Sequence, residues 1–332
     1  MRLSVFTVVD DYPSPEGAGT DRVREVVALA EEAERAHLSA LWVAEHHFHP
    51  GGVCPAPPVL LAACGARTRR LRLGALVAVL PFHSPVKLAE EYALLDRLID
   101  GRLNLGVGSG YLPIELDAFG VNPESKRERF DASLSTLIAA LKGQEVRTAP
   151  ELPKVRINVR PVQAPHPPVW VAAQRREALP FIARKGFSVA LIPYATVENL
   201  SELAEEVCEF RRALPAGATA QVTVALHVYA GTDGEGARRA LQRYLDSRLS
   251  FQSVHYRAKV ARDPRHARAA AIEEAGFALI GPAEEVARRL RPFSDAGVDE
   301  VAGIFDFGGL PPAEAQASVR RLGSAFRAEF GT

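Results

Sequence analysis

Leu38-Ser39-Ala40-Leu41-Trp42-Val43-Ala44-Glu45-His46-His47-Phe48-His49 runs from an apolar segment straight into three histidines and a carboxylate. Residues 38–43 read as a short buried strand. Loops that leave such strands carry the reactive groups of α/β proteins. Apolar, β-branched runs of the same kind recur at 3–9, 71–80, 103–107, 169–172, 188–192, 222–229 and 301–305, giving eight candidate strands with 40–43. Helical patterns fall between and around them, at 21–36, 56–68, 85–99, 126–141, 176–185, 197–213, 235–249, 283–296 and 312–329. Stop and start signals agree: Thr20-Asp21 precedes the first helix, Lys185-Gly186 closes another, and Gly281-Pro282 and Gly297 bracket a late one. Strands separated by helices pair in parallel through right-handed crossovers. Eight such units predict a closed (β/α)8 TIM barrel, one domain over residues 1–332. Two stretches break the period, near 143–168 and 250–276, and are expected as insertions on the barrel edge, lids over a pocket.

The 332 residues are 47% hydrophobic, enough for a large core, and 40 basic side chains balance 40 acidic ones. That balance argues against a nucleic-acid footprint or a polybasic membrane patch. The arginines at 67, 69, 70 and 72 read as a solvated helix end and turn. Cys54, Cys64 and Cys208 are too scattered for a metal motif or a disulfide framework, which fits a reducing cytoplasm. No run approaches the roughly 20 apolar residues of a spanning helix, and Met1 to Phe6 is too short for a signal peptide.

On the barrel reading His46 and His47 lie at the C-terminal mouth, where an imidazole can exchange protons near pH 7. Glu45 could orient one ring. His47-Phe48-His49 is also a literal His-x-His, but a metal site would need further ligands at later strand ends. Asp306 fits such a place; His227, in mid-strand, and His166, between prolines, do not. No metal is therefore expected. Gly101 to Tyr111 runs from a strand into glycines, so Gly108, Ser109 and Tyr111 could meet a ligand through backbone or side chain. Arg127 stands in the first turn of a helix soon after, a plausible phosphate partner. Gln174 and Arg175 begin another helix after a strand and could hold an anion too.

Taken together these segments resemble the bacterial luciferase-like flavin monooxygenases. The matching pieces are Trp42 to Phe48, Leu80 to Pro85 with Ala89-Glu90-Glu91-Tyr92 and Leu95-Asp96, Gly101 to Tyr111, Phe119-Gly120 followed by Arg127, Pro161 to Pro168, and Gly297 to Val301. The resemblance implies a barrel binding FMN, or in one branch the deazaflavin F420, at its C-terminal mouth. It implies that reduced FMN and oxygen give a flavin C4a-peroxide that oxidises a small organic substrate, with His46 assisting and Arg127 on the phosphate. It places a non-prolyl cis peptide at Leu76–Val77, against the flavin. Two residues depart from the pattern: Ser109 stands where many relatives have arginine, and Arg175 where many have a small hydroxyl residue, so Arg175 is expected to compensate for Ser109. With no NAD(P)H-binding element apparent, a separate flavin reductase is expected, and a homodimer is common in the family. The alternatives are an F420-dependent oxidoreductase, a metal-dependent barrel hydrolase, and a flavin-binding barrel without activity.

Overall fold

The computed structural model describes residues 1–12, 21–149, 151–249 and 254–331, apart from the His255 side chain. Thr20, read as preceding the first helix, and residues 250–253 at the start of the second expected insertion lie outside that description. Among the described residues nine strands form one parallel sheet: β1 (Arg2–Thr7), β2 (Ala40–Val43), β3 (Arg72–Val79), β4 (Leu103–Gly108), β5 (Val169–Ala172), β6 (Ser188–Leu191), β7 (Val222–Ala230), β8 (Ala278–Gly281) and β9 (Glu300–Ile304). Ladders run from β1 through to β7, then β7–β9 and β9–β1, so eight strands close into a barrel. Those eight are the expected ones. β8 is the addition: it pairs only with the outer half of β7, from His227↔Ala278 to Ala230↔Gly281, overlapping the stretch that β9 uses only at His227.

The barrel strands are buried almost throughout, as parallel strands covered by helices must be. Trp42 from β2 and Trp170 from β5 meet edge to face inside the barrel, ring centroids 5.0 Å apart. Each removes on the order of 200 Å² from water, roughly 5 kcal/mol apiece before ordering costs. Their indole N–H groups do not go unpaired: Trp42 Nε1 donates to Glu300 Oε1 at 2.7 Å and Trp170 Nε1 to Thr223 Oγ1 at 3.0 Å. The Ser4 hydroxyl shares the same Glu300 oxygen.

The segment before β5 is irregular, with one isolated bridge between Val146 and Val155. Buried Asp96, on helix Pro85–Leu98, ties it down by accepting from Val162 N at 2.7 Å and from Gln163 N and Nε2. Arg72 departs from the solvated reading, because it lies in β3 and donates to Asn104 Oδ1 and Leu103 O. The helix expected over 283–296 is two short ones, Ala283–Arg289 and Arg291–Asp295. The stretch near 250–276 contains helices Val254–Arg262 and Ala269–Glu274.

Candidate active site

The loops leaving β2, β3, β4 and β5 gather at the C-terminal mouth, and the histidines after β2 sit among them. His46 Nδ1 lies 3.0 Å from Glu115 Oε1. The same oxygen takes the backbone N–H of His47 at 2.8 Å and faces His49 Nε2 at 3.1 Å. Glu115 belongs to a six-residue helix, Pro113–Ala118, after β4 and is buried. Burial alone would raise its carboxyl, but the His46 and His49 contacts and the His47 N–H outweigh that and hold it at about 2. Burial pushes His46 below the ordinary histidine range despite its carboxylate partner, and the Arg248 charge adds to this. A neutral His46 thus donates Nδ1–H to an ionised Glu115. Nε2 has no hydrogen-bond partner among the described residues, and an imidazole nitrogen so placed can accept or donate a proton. Gly52 completes this packing, because a Cβ there would sit 2.6 Å from His46 Cβ and 2.8 Å from Cγ.

Glu45 serves different rings. Its Oε1 is 2.9 Å from His47 Nε2 and 2.7 Å from His83 Nε2, and its Oε2 accepts from Val79 N at 3.0 Å. Burial opposes a charge on either partner, yet the contacts prevail: Glu45 is shifted down and His83 up. The His47 ring packs on the edges of Phe82 and Phe119, which stack at 4.5 Å. The His47 ring thus lies between a carboxylate and an aromatic wall. Among the described residues the side chains grouped like metal ligands are His46, His49 and Glu115, ligand atoms within 4.8 Å. The two histidines of the His-x-His reading face different carboxylates, His47 Nε2 that of Glu45 and His49 Nε2 that of Glu115. In this structure both rings of the His46, His49 and Glu115 group contact one oxygen, Oε1 of Glu115.

The Leu76–Val77 peptide is cis, where the β3–β4 register shifts between Ala75 and Ala78. Val77 rests on Gly108, where a Cβ would stand 2.6 Å from Val77 Cγ2, so only glycine allows this approach. Ser109 and Tyr111 follow, both half-exposed, and Gln174 and Arg175 are exposed beyond β5. Arg127 turns outward: its Nε pairs with Asp131 at 3.0 Å, and its guanidinium lies over Phe181. Lys126, one residue earlier, takes the inward position and donates from Nζ to Gly110 O at 2.7 Å. Burial, then the positive Arg175 nearby, lowers the Lys126 pKa. Two cations are thus held together beside a glycine loop.

Arg248, in the last turn of helix Gly234–Leu249, was not expected at all. Its guanidinium is buried at the mouth. Nη1 contacts Asp10 Oδ1 at 3.1 Å and Gly51 O at 2.7 Å, and Nη2 contacts the Tyr111 hydroxyl at 3.2 Å. Burial raises the Asp10 carboxyl to about 7; Arg248 opposes the rise and Asp306 adds to it. Glu115 and Arg248 escaped sequence reading for a common reason: each acts from a segment distant in sequence. Lys126 escaped because Arg127, beside it, carried the resemblance.

The profile of the luciferase-like monooxygenase family matches residues 1–300. The oxygenase component of a flavin-dependent trigonelline monooxygenase from Acinetobacter baylyi is 25% identical over 97% of this chain and 93% of its own. Two uncharacterized Sinorhizobium fredii proteins, y4wF and y4vJ, are 36% identical in their matched regions, which span only 59% and 48% of their own lengths. In fold, a monooxygenase from Streptomyces bottropensis aligns over 99% of this chain and 100% of its own, with TM-score 0.83 and 24% identity. The oxygenating constituent of the Pseudomonas putida 3,6-diketocamphane monooxygenase, in complex with FMN, aligns over 99% and 98% with TM-score 0.80 and 18% identity. A closed barrel with this mouth, matched by the family profile over nearly its whole length, makes the chain a member of the luciferase-like monooxygenase family.

Proposed function

We propose that the chain is the oxygenase component of a two-component monooxygenase that uses reduced FMN and dioxygen to oxidise a small organic substrate. The observation that carries this reading is His46, neutral, with Nδ1 fixed on ionised Glu115 and Nε2 left over, in the loop next to the Val77–Gly108 contact.

The residues fit a flavin. Lys126 and Arg175 repel each other beside Gly110, and a phosphate between them would relieve that repulsion. Arg175, with Lys126, supplies the charge that Ser109 lacks; Arg127 supports the helix from outside through Asp131. Leu76, Val77 and Gly108 offer an apolar floor for a planar ring, with Tyr111 and Gln174 at its borders. Reduced FMN, when bound, supplies the two electrons that split dioxygen, one atom going to substrate and one to water. The protein holds the ring, keeps water off it with the buried strand ends, and moves a proton at His46 Nε2. Such general acid–base help is typically worth ~10² to 10⁴-fold. His47 orders the loop through Glu45. A separate flavin reductase and a cytoplasmic homodimer belong to the same proposal. The first is supported by the relative named as an oxygenase component.

The deazaflavin F420 is the competing ligand on this barrel, and it carries hydride without oxygen chemistry. Anaerobic titration with reduced FMN and with F420, followed by oxygen uptake, separates the two. The proposal expects saturable FMN binding and oxygen consumption. Binding of F420 alone, with no oxygen consumed, would replace it.

A further inference from the structure

Glu45 is a buried carboxylate whose contacts converge on one strand end. Its backbone N–H donates to Val77 O at 3.3 Å and its Oε2 accepts from Val79 N at 3.0 Å. One residue of the loop after β2 thus holds the last residues of β3 at two points. The other oxygen, Oε1, faces His83 Nε2 at 2.7 Å and His47 Nε2 at 2.9 Å. The two rings differ in exposure: the His47 side chain is 9% exposed and the His83 side chain 28%, against 1% for Glu45. His83 follows the 3-10 turn Leu80–Phe82 that continues β3, and it is the partner of Glu45 that reaches solvent. The chemistry assigned to His46 does not use this ring.

We infer that His83 is a positioning residue of the mouth: through Glu45 it fixes the strand end Val77–Val79, and the proton it carries tightens that hold. A buried carboxylate loses much of its stabilisation when its charged partner is removed. Burial lowers the His83 pKa, but the Glu45 hydrogen bond and charge outweigh it, the Glu91 charge adds to them, and the net shift is upward from 6.5. The ring therefore keeps its proton to higher pH than a free histidine does. The Glu45 charge also reaches Tyr92, on helix Pro85–Leu98, and Cys54. Burial pushes both groups up and Glu45 adds to it, so phenol and thiol stay neutral while His83 titrates. A histidine whose pKa is raised on folding stabilises the fold fully below 6.5, and that contribution is lost as pH rises through the folded value. Val77 rests on Gly108 and is part of the floor assigned to the flavin ring, so a looser strand end should weaken flavin binding. The inference rests on that flavin reading and adds to it a pH control from outside the His46 cluster.

The test is anaerobic titration of the full chain with reduced FMN from about pH 6 to 9, in wild type, His83→Gln and His83→Lys, beside urea melts without flavin over the same range. Glutamine keeps an N–H donor but carries no charge; lysine keeps its charge throughout. Comparison between variants cancels the ligand's own titration. Wild-type affinity should fall about threefold or more as His83 discharges. His83→Gln should bind at the weaker, high-pH level of wild type throughout, and His83→Lys at the stronger level, each with only the slope of the ligand itself. The wild-type urea midpoint should exceed that of His83→Gln at the acid end and converge on it at the alkaline end. Should His83→Gln fail to fold, a midpoint gap between wild type and His83→Lys that opens as pH rises takes its place. Parallel affinity profiles in wild type and variants, or a midpoint gap that does not change with pH, would overturn the inference. If wild type binds no FMN at any pH, the flavin reading falls, and the melts then decide the hold of His83 on Glu45 by themselves.

Discussion

Glu115 concentrates three N–H contacts on one buried oxygen, and its replacement is informative in two ways. Glu115→Gln should lower turnover about 10- to 100-fold by freeing the His46 ring, while FMN affinity, read by titration, stays near wild type. It should also change acid stability. The folded carboxyl is depressed from 4.5 to about 2, so its stabilisation is complete above pH 4.5 and lost as pH falls toward 2. That loss is roughly 3 kcal/mol, and urea melts from pH 6 to 2.5 should show it in wild type and not in Glu115→Gln. Gly52→Ala pushes on the same ring, and a displacement near 1 Å should cost turnover ~10-fold or more. Single-turnover rates with reduced FMN check this; an unchanged rate would show that the His46 position is not critical. Because the His46 pKa is lowered, the ring stays neutral as pH falls past 6.5, and the acid limb of the turnover profile should lie below that value. At this scale the sequence pointed to His46 through its place after a strand. It could not show that Glu115, 69 positions on, is the partner.

Among the elements, helix Gly234–Leu249 does more than cover the barrel. Its Arg248 joins the loop after β1 through Asp10, the loop after β2 through Gly51, and the loop after β4 through Tyr111. Arg248→Met should destabilise the fold by about 3–5 kcal/mol, the cost of leaving a buried partner unpaired. Adding Asp10→Asn should recover much of that loss; denaturant melts of the three variants decide it, and simple additivity would contradict the pairing. Long, periodic helices such as Lys126–Leu141 were legible to the residue. Pro113–Ala118 was not, since six residues give too little periodicity to separate a helix from a loop. Lys126 and Arg127 show the same limit. Neighbours on a helix point about 100° apart, and sequence alone does not say which faces the mouth.

At the scale of the molecule, closure of the barrel is what brings segments from residues 44–52, 80–83, 109–115 and 173–175 to one end. Eight apolar runs separated by helices were enough to read that architecture, because parallel pairing leaves few other arrangements. β8 was missed for the converse reason: its four residues pair outside the ring, and nothing in the eightfold pattern requires them. The cis Leu76–Val77 bond was expected only through resemblance, and no local signal in Leu76 or Val77 marks it. The central claim is that a flavin ring lies in this mouth beside His46. The most direct measurement is a crystallographic map of the chain soaked with FMN. The account predicts ring density over Leu76, Val77 and Gly108, within hydrogen-bonding reach of His46, and phosphate density beside Lys126 and Arg175. Ring density at the opposite end of the barrel, or at the mouth but turned away from His46, would contradict it.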